Sequence, residues 1–335
     1  MVHRKDLDFI KGCLIFCVVW GHFCAFYLDN SNYDKTVLTC YTTLFQMPLF
    51  LFISGFFSKN KNSTLNFYKQ TRNLLVRNGG PFISYCLLAI LIVLLKRVVK
   101  DGNAYISLYD IRSILSVYWY FICLIICRFL NTLVELSGKW KVVTILLILL
   151  VLLTIPSHLY YIPFLWPFFM MGTIYRKYES SIDAFIAGPI GKVIIISMAL
   201  IFLIGGFIFP RANTFYEMAN MIYENTSIIL YRYLLYFSAT ICMLYTFKYI
   251  YTLFYNRAIV VIFEKIGQHT LTIFAGHLLI MYYVLAPFSI SIMQGSCFAY
   301  YCFAPLVTYV LLQFFCAIDM LISRNLFIRH LFLGK

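Results

Sequence analysis

Charge is what this sequence has least of. Only 12% of its 335 residues are Asp, Glu, Lys or Arg, and only 13 are acidic. An ordinary soluble domain carries about 25% charged residues. There is no low-complexity tract, no visible internal repeat and no segment polar enough to form a soluble appendage. The missing inverted repeat weighs against several transporter architectures. No CxxC pair occurs among the eleven cysteines, which removes zinc-ribbon and thioredoxin-type chemistry. Most of the thiols, such as Cys13, Cys17, Cys123, Cys127 and Cys242, sit in apolar runs and read as small apolar groups. Cys297 and Cys302, near a predicted outer loop, are the one pair for which a disulfide is conceivable.

What the chain has in excess is apolar surface. It is 62% apolar, with 33 Phe and 27 Tyr, more than a soluble core of this length can hide. The net charge of +14 does not form a solvated patch or arm, so nucleic-acid binding is excluded. The Lys and Arg lie in short loops between apolar runs, the pattern of membrane topology. The basic start, Met1 to Lys11, resembles a signal peptide but has no small-residue cleavage site, and reads as a retained signal anchor.

A helix needs about 20 residues to cross about 30 Å of hydrocarbon. Ten apolar runs meet or approach that length: 9–28, 38–57, 80–95, 113–130, 142–156, 160–175, 192–209, 228–247, 268–287 and 298–321. The fifth and sixth are short and form a tight hairpin around Pro156, Ser157 and His158. With both termini in the cytoplasm, the inner segments hold 20 Lys and Arg and the outer loops six, as the positive-inside rule requires. The expected fold is therefore all-α: one polytopic membrane domain over 1–335, about ten transmembrane helices, both ends cytoplasmic. One loop disagrees, because Lys96, Arg97, Lys100 and Arg112 fall outside. Either a neighbouring span is misplaced or that cluster faces an anionic substrate.

Ionisable groups within apolar spans are costly and are functional candidates by default. His22, in Val18-Val19-Trp20-Gly21-His22, lies eleven residues beyond Lys11, ~16 Å along a helix and just past the bilayer midplane. The plain reading is a neutral histidine hydrogen-bonded to a neighbouring helix; Gly21, which lets a ligand or another helix approach beside the imidazole, tips the balance a little towards function. Asp8, about 21 Å back along the same helix, is out of reach and pairs more plausibly with Lys11 or Arg4. Whatever orients His22 must come from another span. His277 is a second intramembrane histidine, with a structural hydrogen bond as the plainer reading. Pro48 removes a backbone donor within the second run, and with Ser54-Gly55 it suggests a pocket. Lys69, Arg72 and Arg77 are either topology anchors or a phosphate clamp.

Taken together these segments resemble the acyltransferase 3 family of integral membrane acyltransferases. Asp8-Phe9-Ile10-Lys11-Gly12 followed by Val18-Val19-Trp20-Gly21-His22 is similar to its first-span pattern. Met47-Pro48-Leu49-Phe50 through Ile53-Ser54-Gly55-Phe56 resembles its second-span signature, and Lys69-Gln70-Thr71-Arg72 its basic pair. Arg77 to Pro81 matches the entry to the third span, and Trp119-Tyr120-Phe121 the aromatic motif of the fourth. Ile266-Gly267-Gln268-His269-Thr270-Leu271 through His277 is similar to its late motif, with His269-Thr270 where Asn-Ser is usual.

The resemblance implies ten spans and transfer of an acyl group, usually acetyl, from cytoplasmic acyl-CoA. The acceptor would be a hydroxyl of an extracytoplasmic glycan or a lipid-linked sugar. His22 would be the catalytic base or a transient acyl carrier. Lys69, Arg72, Arg77 and Lys11 would hold the coenzyme, and Asp8, Gly21, Pro48, Ser54, Gly55, Trp119 and His277 would line the substrate pocket. No permanent cofactor or metal is expected; acetyl-CoA is a donor substrate. Partners are the acyl donor, the acceptor and membrane lipid, and the sequence is compatible with a homo-oligomer. The expected location is a bacterial cytoplasmic membrane. The rival reading is a proton-coupled transporter or flippase of a sugar or lipid-linked intermediate, with His22 and His277 carrying protons. A third reading, a scaffold subunit of a glycan-assembly complex, gives neither histidine a role.

Overall fold

The computed structural model describes residues 4–28, 37–58, 72, 75–154, 161–208, 226–285 and 296–334. Lys69 and the expected hairpin around Pro156, Ser157 and His158 lie outside the described residues. Each of the ten apolar runs is helical where it is described, and no strand occurs among those residues. The helices are α1 Lys5–Phe23, α2 Val37–Phe56, α3 Gly80–Asp101, α4 Leu108–Val117, α5 Trp119–Leu136, α6 Lys141–Thr154 and α7 Ile162–Ala187. They continue with α8 Pro189–Ile208, α9 Thr226–Phe254, α10 Ala258–Gln268, α11 Thr270–Leu278, α12 Ala304–Arg324 and α13 Leu326–Leu333. Among the described residues, five helical stretches are long and apolar enough to cross a membrane: Lys5–Leu28, Leu75–Lys100, Trp119–Leu136, Pro189–Ile208 and Ala299–Arg324. The broken pair α10 and α11 would make a sixth.

The outward faces identify the solvent. Leu87, Leu91 and Leu95 on α3, Leu146 and Leu150 on α6, and Val193, Ile196, Leu200 and Leu203 on α8 are all exposed at helical spacing. Apolar stripes of this kind are untenable in water and natural against lipid. The protein is an integral membrane protein.

The structure redraws several boundaries. The cluster expected in a loop at 96–112 is largely helical: Lys96, Arg97 and Lys100 occupy the last turns of α3, which ends at left-handed Gly102. Arg97 is also engaged. Its Nη2 donates to Asp110 Oδ2 at 2.7 Å, and its guanidinium lies 3.9 Å from the Tyr105 ring centroid. Asp110 in turn closes a capping box with Ser107 that starts α4. These hydrogen bonds from Ser107, with Arg97 close by, hold the Asp110 carboxyl below its ordinary range. Run four therefore divides into a short amphipathic α4 and a longer α5. Run six continues well past 175, because α7 bends at Tyr178 and carries on as a charged helix.

The described chain forms two compact units, each assembled from three stretches of sequence. The first contains Met1–Cys17, Asp34–Asn66 and Ile126–Gln268. Its helices cross closely at glycines. A Cβ on Gly55 would overlap the Phe169 carbonyl, and one on Gly172 the Phe52 carbonyl, so α2 and α7 touch backbone to backbone. Gly12 against Phe263 and Gly267 against Asp8 do the same for α1 and α10. Small residues at such crossings allow the close van der Waals packing that joins helices in lipid.

Several charged groups of this unit are matched locally. Arg4 Nη2 bonds Asp6 at 2.7 Å and Glu179 at 2.8 Å, and these bonds raise the Arg4 pKa above its ordinary value. Arg176 Nη1 donates to the Phe56 and Ser58 carbonyls, closing the C-terminus of α2. Lys248 donates to Tyr175 Oη at 2.6 Å and to Asp183 Oδ2 at 2.8 Å. The second unit contains Val18–Tyr33, Phe67–Ile125 and His269–Lys335. Within it, α13 packs on α3 through Ser84 Oγ, which donates to the Leu331 carbonyl at 2.9 Å, and through Tyr85 against Phe332.

Candidate active site

His22 and His277 both belong to the second unit, and each occupies the last α-helical turn before a π-helical segment. α1 passes directly into a π-turn at Cys24–Leu28, and α11 into one at Leu279–Leu285. Widening a helix to i→i+5 bonding shifts the side-chain register, and such bulges recur at functional sites. Two aromatic donors of the first stretch fasten the irregular backbone nearby. Tyr27 Oη donates to the Met281 carbonyl at 2.8 Å, and Trp20 Nε1 to the Tyr300 carbonyl at 2.9 Å, within a further π-turn at Ala299–Phe303.

This arrangement brings the two imidazoles together, with ring centroids 5.4 Å apart and planes inclined by 38°. Their surroundings differ. His22 is half-buried beside buried Gly21 and stacks on Phe26 at 5.8 Å and 16°. Neither nitrogen of His22 has a hydrogen-bond partner among the described residues. His277 is 1% exposed, and its Nδ1 is 2.9 Å from the Ile273 carbonyl. A carbonyl only accepts, so Nδ1 carries the hydrogen and Nε2 of the neutral ring is an acceptor. Nε2 is buried and has no partner among the described residues.

An aromatic wall continues from His277. Phe274 meets it edge-on at 5.7 Å and also contacts Tyr120 at 4.5 Å and Phe121 at 5.9 Å. Trp119 opens α5 half-buried, T-shaped on Tyr120. Tyr118 donates to the Ala275 carbonyl at 3.3 Å, and Gly276 has no side chain because the Phe315 ring fills that space. His277 is thus held by one backbone hydrogen bond and an edge-on aromatic ring, on a helix whose neighbouring residues Ala275 and Gly276 are also engaged.

Earlier on α11 lies a pair that the sequence reading missed. His269, at the N-terminus of the helix, donates from Nδ1 to Asp319 Oδ2 at 2.5 Å, and Thr272 Oγ1 donates to the other carboxylate oxygen. Asp319 is 6% exposed on α12. Its signal was available, for it is the single acidic residue of the last apolar run, and the rule that singled out His22 applies to it equally.

The remaining predicted residues divide between the units. In the first, Lys11 Nζ pairs with buried Asp8 at 2.6 Å, as the i,i+3 spacing predicts, and lies 5.7 Å from the Phe57 ring centroid. Pro48 is buried within α2, Ser54 is half-buried, and Gly55 is occupied by the helix crossing. In the second unit, Arg72 and Arg77 are exposed, and the Arg77 carbonyl lies against Gly334. Cys297 and Cys302 are exposed free thiols. Among the described residues no group of three or more His, Cys, Asp or Glu is placed to hold a metal ion.

Comparison with known proteins adds two findings. Residues 4–318 match a protein family described as an acyltransferase domain. Nodulation protein NolL of Sinorhizobium fredii (strain NBRC 101917 / NGR234) is 26% identical over 187 residues, covering 52% of this chain and 50% of that protein. The chain thus spans about half the length of this curated relative. No solved structure matches it.

Proposed function

The chain belongs to the acyltransferase 3 family, and from that membership we propose that it moves an acetyl group from cytoplasmic acetyl-CoA to a sugar hydroxyl. The acceptor is an extracytoplasmic glycan or a lipid-linked sugar. The working form crosses a bacterial cytoplasmic membrane about ten times with both ends inside. The observation that carries the reading is the imidazole pair: two intramembrane histidines 5.4 Å apart, one with a buried, unpartnered nitrogen.

A sugar hydroxyl is a weak nucleophile at neutral pH and needs a base to take its proton as it attacks the acyl carbon. Neutral imidazole is the form that can act as base or nucleophile. His22 is the reactive histidine, as base or as transient acyl carrier. Exposed Arg72 and Arg77, together with Lys69, supply guanidinium and ammonium groups for the coenzyme's phosphates. Lys11 is a weaker member of that set because Asp8 already neutralises it.

The test uses purified protein in detergent with radiolabelled acetyl-CoA and a cell-envelope glycan fraction. Label should pass to glycan with wild type and not with His22→Ala. Equal transfer by both proteins would remove His22 from the chemistry. Folded wild type that neither binds acetyl-CoA nor transfers label would overturn the enzyme reading and leave proton-coupled transport in its place.

A further inference from the structure

We infer that the two histidines divide the reaction between them, His22 carrying the acyl group and His277 serving as the base that discharges it. The inference rests on the acyltransferase reading above and resolves the choice that reading leaves open between base and carrier.

Room decides the roles. An acyl group needs space around the nitrogen that bears it, for a tetrahedral carbon and three substituents. His277 has little: it is 1% exposed, held by the Ile273 carbonyl, and met edge-on by Phe274. A base needs room for one hydroxyl oxygen at its nitrogen and for nothing larger. The bond to Ile273 also selects the tautomer whose Nε2 is a lone-pair acceptor, and that nitrogen is buried without a donor among the described residues. A buried acceptor left unpaired is costly, and a hydroxyl that donated to it would relieve that cost. His22 is less enclosed. It is half-buried, is held by no hydrogen bond among the described residues, and follows a residue without a side chain. The two rings lie side by side without a hydrogen bond between them among the described residues, so His277, oriented by Ile273, would act on the acceptor and not on His22 itself.

In the first step a His22 nitrogen attacks the thioester carbonyl and the carbon–sulfur bond breaks. The departing thiolate takes the proton from the other His22 nitrogen, leaving neutral N-acetylimidazole and free thiol. In the second step the acceptor hydroxyl gives its proton to His277 Nε2 while its oxygen attacks the acetyl carbon. The carbon–nitrogen bond to His22 breaks, and the imidazole regains a proton from His277. Both histidines end as they began, and no oxidant or further reactant is consumed.

The two roles give opposite phenotypes. Full-length wild type, His22→Gln and His277→Gln would be incubated with radiolabelled acetyl-CoA and quenched rapidly, with and without the glycan fraction. Wild type without acceptor should release one thiol per protein in a burst and hold label on His22. His277→Gln should acquire the same label but pass it to glycan at least about a hundredfold more slowly, the usual contribution of a general base. Hydroxylamine, which attacks acyl-imidazoles without a base, should discharge that label at the wild-type rate. His22→Gln should neither label nor transfer.

Wild-type transfer by His277→Gln, or label on His22→Gln, would overturn the inference. The wild-type burst needs no variant to fold, so transfer to glycan with no burst and no protein-bound label would also overturn it. Wild type that transfers to nothing would instead sink the acyltransferase reading.

Discussion

Asp319 on α12 accepts a hydrogen bond from His269 Nδ1 at 2.5 Å, tying the start of α11 to the last long helix of the chain. The same carboxylate accepts from Thr272, so both its oxygens are used. The histidine that faces His22, His277, stands two turns further along that helix. The helix that carries His277 is therefore anchored by a polar clasp buried among apolar side chains.

Breaking the clasp should cost stability in a fixed order. Asp319→Leu leaves the His269 N–H and the Thr272 hydroxyl without their acceptor, a loss of about 1–3 kcal/mol. His269→Asn retains an N–H close to the position of Nδ1 and should lose much less. Thermal unfolding in detergent would rank wild type and His269→Asn above Asp319→Leu. Equal melting temperatures for all three would mean that the clasp contributes nothing.

The tyrosine that fastens the irregular backbone near the histidines offers a paired comparison. Tyr27→Phe removes its hydrogen bond to Met281, and Tyr41→Phe removes one of the same kind to Leu203, in the first unit. Each should cost about 1 kcal/mol of stability. Transfer of label should fall several-fold with Tyr27→Phe and stay unchanged with Tyr41→Phe. Matching activities would show that the π-turns need no such fastening.

Glycine crossings can be tested by single methyl groups. Gly55→Ala and Gly172→Ala force a methyl into a facing carbonyl, an overpacking penalty of about 1–3 kcal/mol. Gly80→Ala meets nothing within 4 Å at the start of α3 and should be neutral or slightly stabilising. Melting temperatures of the purified variants decide the matter, and a stable Gly55→Ala would indicate that α2 and α7 have slack.

The charge network at the end of α7 predicts a pH dependence. Burial alone would raise the Asp183 carboxyl, but hydrogen bonds from Lys248 and Tyr175 outweigh it and hold the group below its ordinary value of 3.8. A carboxyl depressed on folding contributes fully above its unfolded value, and the contribution disappears as pH falls through the lower folded value. The difference in melting temperature between wild type and Lys248→Met should be constant from about pH 8 to pH 5 and narrow below about pH 4. A difference that stays constant through acid would place the effect of Lys248 elsewhere.

Much of this molecule is legible along the chain. Hydropathy is a local property of composition, so all ten apolar runs appear as helices where they are described, and the bilayer is implied by the counts of charged and apolar residues. His22 stands out because an imidazole amid Val, Trp and Phe is costly in lipid, and the ordered motifs from Asp8 to His277 indicate the family whose match spans 4–318. Boundaries were less legible. A helix in a membrane protein does not stop where its apolar stretch does, so α3 runs on through Lys96 and Arg97, and α7 through Arg176 and Lys177.

Tertiary structure alone decided which residues meet. Gly55, expected at the substrate pocket, faces a carbonyl of α7, and His277, expected there or as a structural contact, lies against His22. Asp319 was visible as a charge in an apolar run, but its partners were not. The physical reason is that hydrophobicity places helices in lipid without ordering them there, since every apolar face is equally content against lipid or protein. Order comes from close packing at a few glycines and from buried polar groups that must find partners, and both join residues far apart in the chain.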